Sequence, residues 1–145
     1  MTGRVKLGIW GGNGGNFHDI DGHPTRLAKI VIRSGDVIDS LAYEYVQDGK
    51  IISVGPWGGS GGKSTTIDFQ SGEFLTAING TTSSFGNIRN LLRSITFITN
   101  VRKLGPFGVE HGTPFSIPIA HGRVVGFYGR SGSYVDAIGI YLMPN

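Results

Sequence analysis

The sequence predicts an all-β protein of three four-stranded antiparallel sheets around a pseudo-threefold axis, and three observations lead there. Glycine supplies 25 of the 145 residues, and each Gly in a helix interior costs about 1 kcal/mol. The apolar residues fall in short β-branched and aromatic stretches with no helical period. Two unrelated motifs also occur three times each. Gly-x-x-x-Asp leading into a strand spans residues 35–39 and 132–136, with a degraded copy, ending in Asn90, at 86–90; the glycines step by 51 and 46 residues. A Gly-rich run with a central aromatic, residues 8–15, is repeated at 55–62 and, more weakly, at 105–112, in steps of 47 and 50 residues. One unit of this size cannot bury its apolar face alone, whereas three that share a core can.

Taken in order, residues 5–9 read as a strand, and residues 10–16 as a glycine loop that no regular element can hold. Residues 17–22 are short and polar, and His23-Pro24 marks a turn. Strands follow at 27–33 and 41–46, flanking the first Gly-x-x-x-Asp loop. Asp48-Gly49 is a hairpin signal, and the chain returns through residues 50–54. After the second glycine loop, 57–62, strands are expected at 65–69 and 74–78 around a turn at 70–73. Residues 91–99 and 102–104 form a hairpin, and 105–113 is the third glycine loop. Residues 115–119 are expected to pair with 123–128 across His121-Gly122, and 137–143 forms a last strand. Residues 1–145 read as a single domain, without a long linker or a low-complexity tail.

Composition narrows the function. With no Cys there is no disulfide framework and no thiol chemistry. No charged-then-apolar leader follows Met1, and no apolar run approaches the ~20 residues that span a bilayer. A soluble cytoplasmic protein without membrane insertion is therefore expected, which leaves the acceptor pattern Asn79-Gly80-Thr81 idle. The net charge is +3, but the basic residues are scattered, so they read as solvated surface charge and no nucleic-acid partner is expected.

Gly-x-Trp-Gly-Gly-x-Gly-Gly at residues 8–15 together with Gly-Arg-Ser-Gly-x-x-x-Asp-Ala-Ile-Gly-x-Tyr at 129–141 resembles the jacalin-related lectins, over essentially residues 8–144. The resemblance implies a β-prism of three four-stranded sheets, and the uninterrupted N-terminal strand is similar to the mannose-binding branch. It implies a non-enzymatic lectin for mannose- and glucose-type glycans and glycoproteins, multivalent and free of metal or other cofactor. A homo-oligomer, dimer or tetramer, is expected with it.

A neutral hexose offers mainly hydroxyls. A carboxylate can accept two hydroxyl protons at once, and such charge-assisted bonds are the stronger kind. Successive loop N–H groups can point into the same concavity. Carried over from the family, Ser133 and Tyr134 would donate backbone N–H groups, Asp136 would accept, and Gly15 would complete the site. The same logic assigns Asp36 and Val37 as backbone donors, Asp39 as acceptor and Gly62 as the closing glycine of a second site. The third pair, 86–90 with Gly112, ends in neutral Asn90 and has His111 in place of a glycine, so it is expected to be weak or dead. An Asp after a turn Gly can equally cap nearby backbone; two copies in register with two glycine loops favour binding. Trp10 and Trp57 read as anchors rather than sugar platforms, and Tyr141 as packing.

Alternatives fail on their own requirements. Residues 57–64 imitate a phosphate loop but begin with Trp57 and lead into a strand instead of a helix. Residues 18–23 lack the ladder of a calcium loop and the spacing of a zinc site. A glycoside hydrolase needs two carboxylates across one bond, and each loop offers one essential Asp, with Asp36 near Asp39 the only close pair.

Overall fold

The computed structural model describes residues 4–144, which hold twelve strands and no helix. In chain order these are β1 (Val5–Gly11), β2 (Asn16–His18), β3 (Arg26–Ser34), β4 (Ile38–Gln47), β5 (Lys50–Gly58) and β6 (Lys63–Asp68). They continue with β7 (Leu75–Phe85), β8 (Ile88–Thr99), β9 (Lys103–Gly108), β10 (Thr113–Pro118), β11 (Arg123–Ser131) and β12 (Val135–Met143).

The strands form three four-stranded antiparallel sheets, ordered β5-β4-β3-β6, β10-β7-β8-β9 and β1-β12-β11-β2. In the first two, three hairpin-linked strands are followed by a fourth that returns beside the first, which is a Greek key. The third sheet has the same order when β11 and β12 are followed by β1 and β2, so residues from both ends of the chain build it. These are the three four-stranded sheets expected from the repeats, in the β-prism that the resemblance implies.

The returning strand corrects one expected pairing. Residues 115–119 do not meet 123–128. β10 pairs with β7, Phe115 facing Gly80, while β11 pairs with β12 and β2. The turn at His121-Gly122 crosses from one sheet to the next instead of closing a hairpin. The hairpin at Asp48-Gly49 stands as expected, with both residues at positive φ (52° and 74°), the backbone that matches strand twist.

A bulge recurs in β1, β5 and β9. Register slips between Leu7 and Trp10, opposite Leu41 to Tyr43 in β5, and opposite Ile95 to Phe97 in β9. The extra residue re-aims the following aromatic. Trp10, Trp57 and Phe107 accordingly pack against the common core, Trp10 stacked on Phe115 and Trp57 on His18. The tryptophans are thus anchors. Ile30 and Ile32, Ile78, Ile95 and Phe97, and Phe127 and Ile140 meet in that core from the three sheets, all without exposure.

A second small cluster, Val125, Tyr128, Tyr141 and Met143, lies beneath Ile20. Tyr141 donates to Asp19, which pairs with Lys6 at 2.7 Å. Tyr141 therefore packs, and the polar stretch after β2 serves as a cover for the third sheet.

At the turn between β6 and β7 the Glu73 carboxylate is sealed from solvent. It accepts from the Gln70 N–H (2.9 Å), the Thr99 hydroxyl (2.7 Å) and Arg102 Nε and Nη2 (2.8 and 3.0 Å). These donors, the Arg102 hydrogen bonds first, hold its pKa down to about 2 against an ordinary 4.5. A lowered folded pKa gives stability that is present above the ordinary value and lost as pH falls through the folded one. Glu73→Gln is expected to cost about 1.5–3 kcal/mol at neutral pH, and the gap from wild type should close between about pH 4.5 and 2. Denaturant melts across that range measure it; a gap independent of pH would refute the ionic account.

Candidate carbohydrate-binding site

The Greek keys place each Gly-x-x-x-Asp loop and its glycine loop at the same end of one sheet. Between β11 and β12, the Gly132 N–H donates to the Tyr134 carbonyl at 3.0 Å, and the Gly12 N–H donates to the Asp136 carbonyl at 2.9 Å. A Cβ added to Gly14 would lie 2.6 Å from Asp136 Oδ2, and Gly15 sits at φ +66° with no room for a side chain against Ser131. Only glycine lets this loop close over the carboxylate. Asp136 is 4 % exposed.

Arg130 braces the arrangement. Its Nε and Nη2 donate to the carbonyls of Gly14 (3.1 Å) and Gly15 (3.0 Å). In a trans peptide C=O and N–H point opposite ways, so the Gly15 N–H faces away from Arg130.

The loop pair on the first sheet repeats this atom for atom. Gly35 N–H donates to the Val37 carbonyl (3.0 Å) and Gly59 N–H to the Asp39 carbonyl (2.8 Å). A Cβ on Gly61 would lie 2.7 Å from Asp39 Oδ2, and Gly62 has φ +71°. Arg33 Nε and Nη2 donate to the carbonyls of Gly61 (2.9 Å) and Gly62 (3.0 Å).

Burial raises the pKa of both carboxyls above the ordinary value. At Asp39 the opposing pull of Arg33 comes next, then the charge of Asp36; at Asp136 the Gly132 N–H and then Arg130 oppose burial. Among the described residues no buried side-chain N or O atom lacks a hydrogen-bond partner, and no cluster of three His, Cys, Asp or Glu side chains could hold a metal ion.

The structure brings Gly15, Ser133 and Asp136 together around a cleft of about 660 Å³. Asp36, Val37, Asp39 and Gly62 line a second of about 260 Å³. Tyr134 is divided between them: its backbone belongs to the first loop, but its ring lines the second cleft, edge-on to Phe85 at 5.7 Å.

The third copy differs in backbone as well as in side chain. Residues 86–87 form a two-residue turn joining β7 directly to β8, so no five-residue loop exists there. Asn90 lies in β8, with its carbonyl where a Cβ on Gly12 would fall, and Arg89 and Asn90 wall the first cleft.

A family model described as "Jacalin-like lectin domain" matches residues 7–141. The chain belongs to the jacalin-like lectin domain family. Among solved structures this lectin domain is similar to AcmJRL, a mannose-binding jacalin-related lectin from Ananas comosus, at 65 % identity and a TM-score of 0.97, over 99 % of this chain and 100 % of that one. Malaysian banana lectin superposes with a TM-score of 0.91 at 40 % identity, over 99 % and 100 % of the two chains. A mannose-specific lectin from Morus nigra, solved with mannose, gives 0.90 at 37 %, over 99 % and 96 %. The family binds carbohydrate and is not enzymatic.

Sequence reasoning missed the arginines. Arg33 and Arg130 read as scattered surface charge, yet both open the same Arg-Ser-Gly-x-x-x-Asp pattern, and Arg130 already lies inside the motif at 129–141. Arg93 also escaped notice. It donates to the carbonyls of Asp36 (3.2 Å) and Ser84 (3.1 Å) and lies over Phe85, tying the second loop to the β7–β8 turn.

Proposed function

We propose that this lectin domain binds mannose- and glucose-type glycans at two metal-independent sites, centred on Asp136 and Asp39, with none at Asn90. One observation carries the reading: two equivalent buried carboxylates lie beneath arginine-braced glycine loops, and the third copy lacks carboxylate, arginine and loop. Each Asp accepts from two neighbouring sugar hydroxyls. Backbone N–H groups of Ser133, Tyr134 and Gly15 serve the first site; those of Asp36, Val37 and Gly62 serve the second. The mannose-binding relatives support the sugar class. Two sites per chain make the protein multivalent, and self-association would add more. The exposed Val5, Leu7 and Ile9 on edge strand β1 support such an assembly.

Galactose inverts the hydroxyl at C4, so a carboxylate gripping two adjacent hydroxyls loses a partner and the ligand is rejected. Calorimetric titration should show methyl α-mannoside bound, in EDTA as without it, and galactoside not. Equal affinity for the two, or loss on chelation, would overturn the site assignment. Acceptance also requires ionised carboxylates. Because burial raises both pKa values, affinity should decline while pH is still above the ordinary Asp value of about 3.9. Mannoside affinity that stays flat down to pH 4 would contradict this.

A further inference from the structure

The sugar loops occupy one end of the prism, and the opposite end holds a concavity the proposed function does not use. Its volume is about 440 Å³, and it is more enclosed than either sugar cleft. Three elements from two sheets and a crossing segment form it: the start of β3 (Arg26, Leu27), the start of β11 (Arg123, Val124) and the β6–β7 turn (residues 69–74).

Its chemistry is lopsided. Arg123 Nε donates to the Thr25 carbonyl at 3.2 Å, next to Arg26 in the chain, so the two guanidinium-bearing residues are tied together at the rim. Neither is among the ion pairs formed by the described residues. The one carboxylate in the lining is Glu73. All four of its hydrogen bonds go to Gln70, Thr99 and Arg102, and Arg102 already neutralises it. The cavity is therefore positive in effect, with a carboxylate that cannot serve as counter-ion. Beside the arginines stand Phe69, Phe74, Leu27 and Val124. Guanidinium forks match a carboxylate bidentately and are weakly hydrated. A volume of this size suits a small organic molecule.

We propose that this cavity binds an organic carboxylate with a flat apolar body, its carboxylate on Arg26 and Arg123 and its body against Phe69 and Phe74. Charge and apolar surface are both required: a neutral analogue loses the arginines, and a bare inorganic anion gains nothing from the rings.

The test is an amide NMR titration of the whole protein with benzoate, benzamide and inorganic phosphate, with methyl α-mannoside binding as the check on folding. Benzoate should move the amides of residues 26–27, 70–74 and 123–124, leave those of 12–15 and 132–136 in place, and bind at least tenfold more tightly than benzamide or phosphate. Arg26→Gln and Arg123→Gln should each weaken benzoate binding tenfold or more, with mannoside affinity unchanged. Equal binding of benzamide would remove the arginines from the site. Equal binding of phosphate would reduce it to surface charge. Benzoate shifts confined to the sugar loops, or unaltered in both variants, would overturn the proposal.

Discussion

Replacing both buried aspartates, Asp39→Asn with Asp136→Asn, should abolish mannoside binding without lowering the melting temperature. Each Asn keeps the shape of the side chain but loses the charge and presents an NH₂ where an acceptor is needed. Loss of charge-assisted bonds costs about 1.5–3 kcal/mol, a fall of roughly ten- to a hundredfold that removes detectable binding of a small polar ligand. The stability side follows from the pKa direction. A carboxyl whose folded pKa is raised contributes stability below its unfolded pKa, and that contribution is lost as pH rises through the folded value. At neutral pH both carboxylates are ionised against the preference of their surroundings, and Asn relieves this. Each single variant should lower the titrated stoichiometry from about two toward one, and Asn90→Ala should leave it alone. Calorimetry and thermal melts together decide the matter. A double variant that binds, or a melting temperature that falls sharply, would show the carboxylates to be structural.

The second large effect is expected at Tyr43, in the centre of the core. Its hydroxyl donates to the Phe127 carbonyl at 2.7 Å and accepts from the Phe127 N–H at 3.1 Å, joining β4 of one sheet to β11 of another. Burial also pushes its pKa up, so it stays neutral and available for both roles. Tyr43→Phe would strand a buried N–H and a buried C=O together. Each such group costs about 1–3 kcal/mol, so a loss of roughly 2–5 kcal/mol is expected, while the ring contacts with Trp57 and Phe127 are kept. Denaturant unfolding measures it. A loss below about 1 kcal/mol would mean that water or a shifted strand satisfies Phe127.

The repeats make the sheet count and both loop pairs readable, because the motifs sit at strand ends where backbone geometry demands specific residues. Strand extents were less legible. β7 runs to Phe85, past the expected end at residue 78, through the polar residues Asn79, Thr81, Thr82, Ser83 and Ser84. Inside the fold that polarity is harmless: Thr81 and Ser94 hydroxyls bond each other at 2.7 Å, and the Asn79 side chain accepts from Ser116. The glycine loops are shorter than their composition suggests, since Trp10, Gly11, Trp57 and Gly58 still belong to strands. Residues 115–119 follow the repeat and not the adjacent turn. The corresponding segment, β6, returns to β3, and β10 returns to β7 by the same rule. Arginines braced on carbonyls leave no periodic trace, so the bracing role of Arg33 and Arg130 shows only when the two Arg-Ser-Gly-x-x-x-Asp copies are laid together.

The sheet shared by both ends of the chain gives the two proposed sites different histories during synthesis. Every strand of the sheet around Asp39 lies between Arg26 and Asp68, so its pairings are local, while its apolar face waits for the other two sheets. The Asp136 loop needs Gly12 to Gly15, made more than a hundred residues earlier. Non-local closure is slow relative to local pairing, so β1 must wait, apolar and unpaired, until β12 emerges. A nascent chain halted just past residue 100 would hold the four strands around Asp39 without the Tyr134 ring that lines their cleft, and an open seam where the Asp136 site belongs.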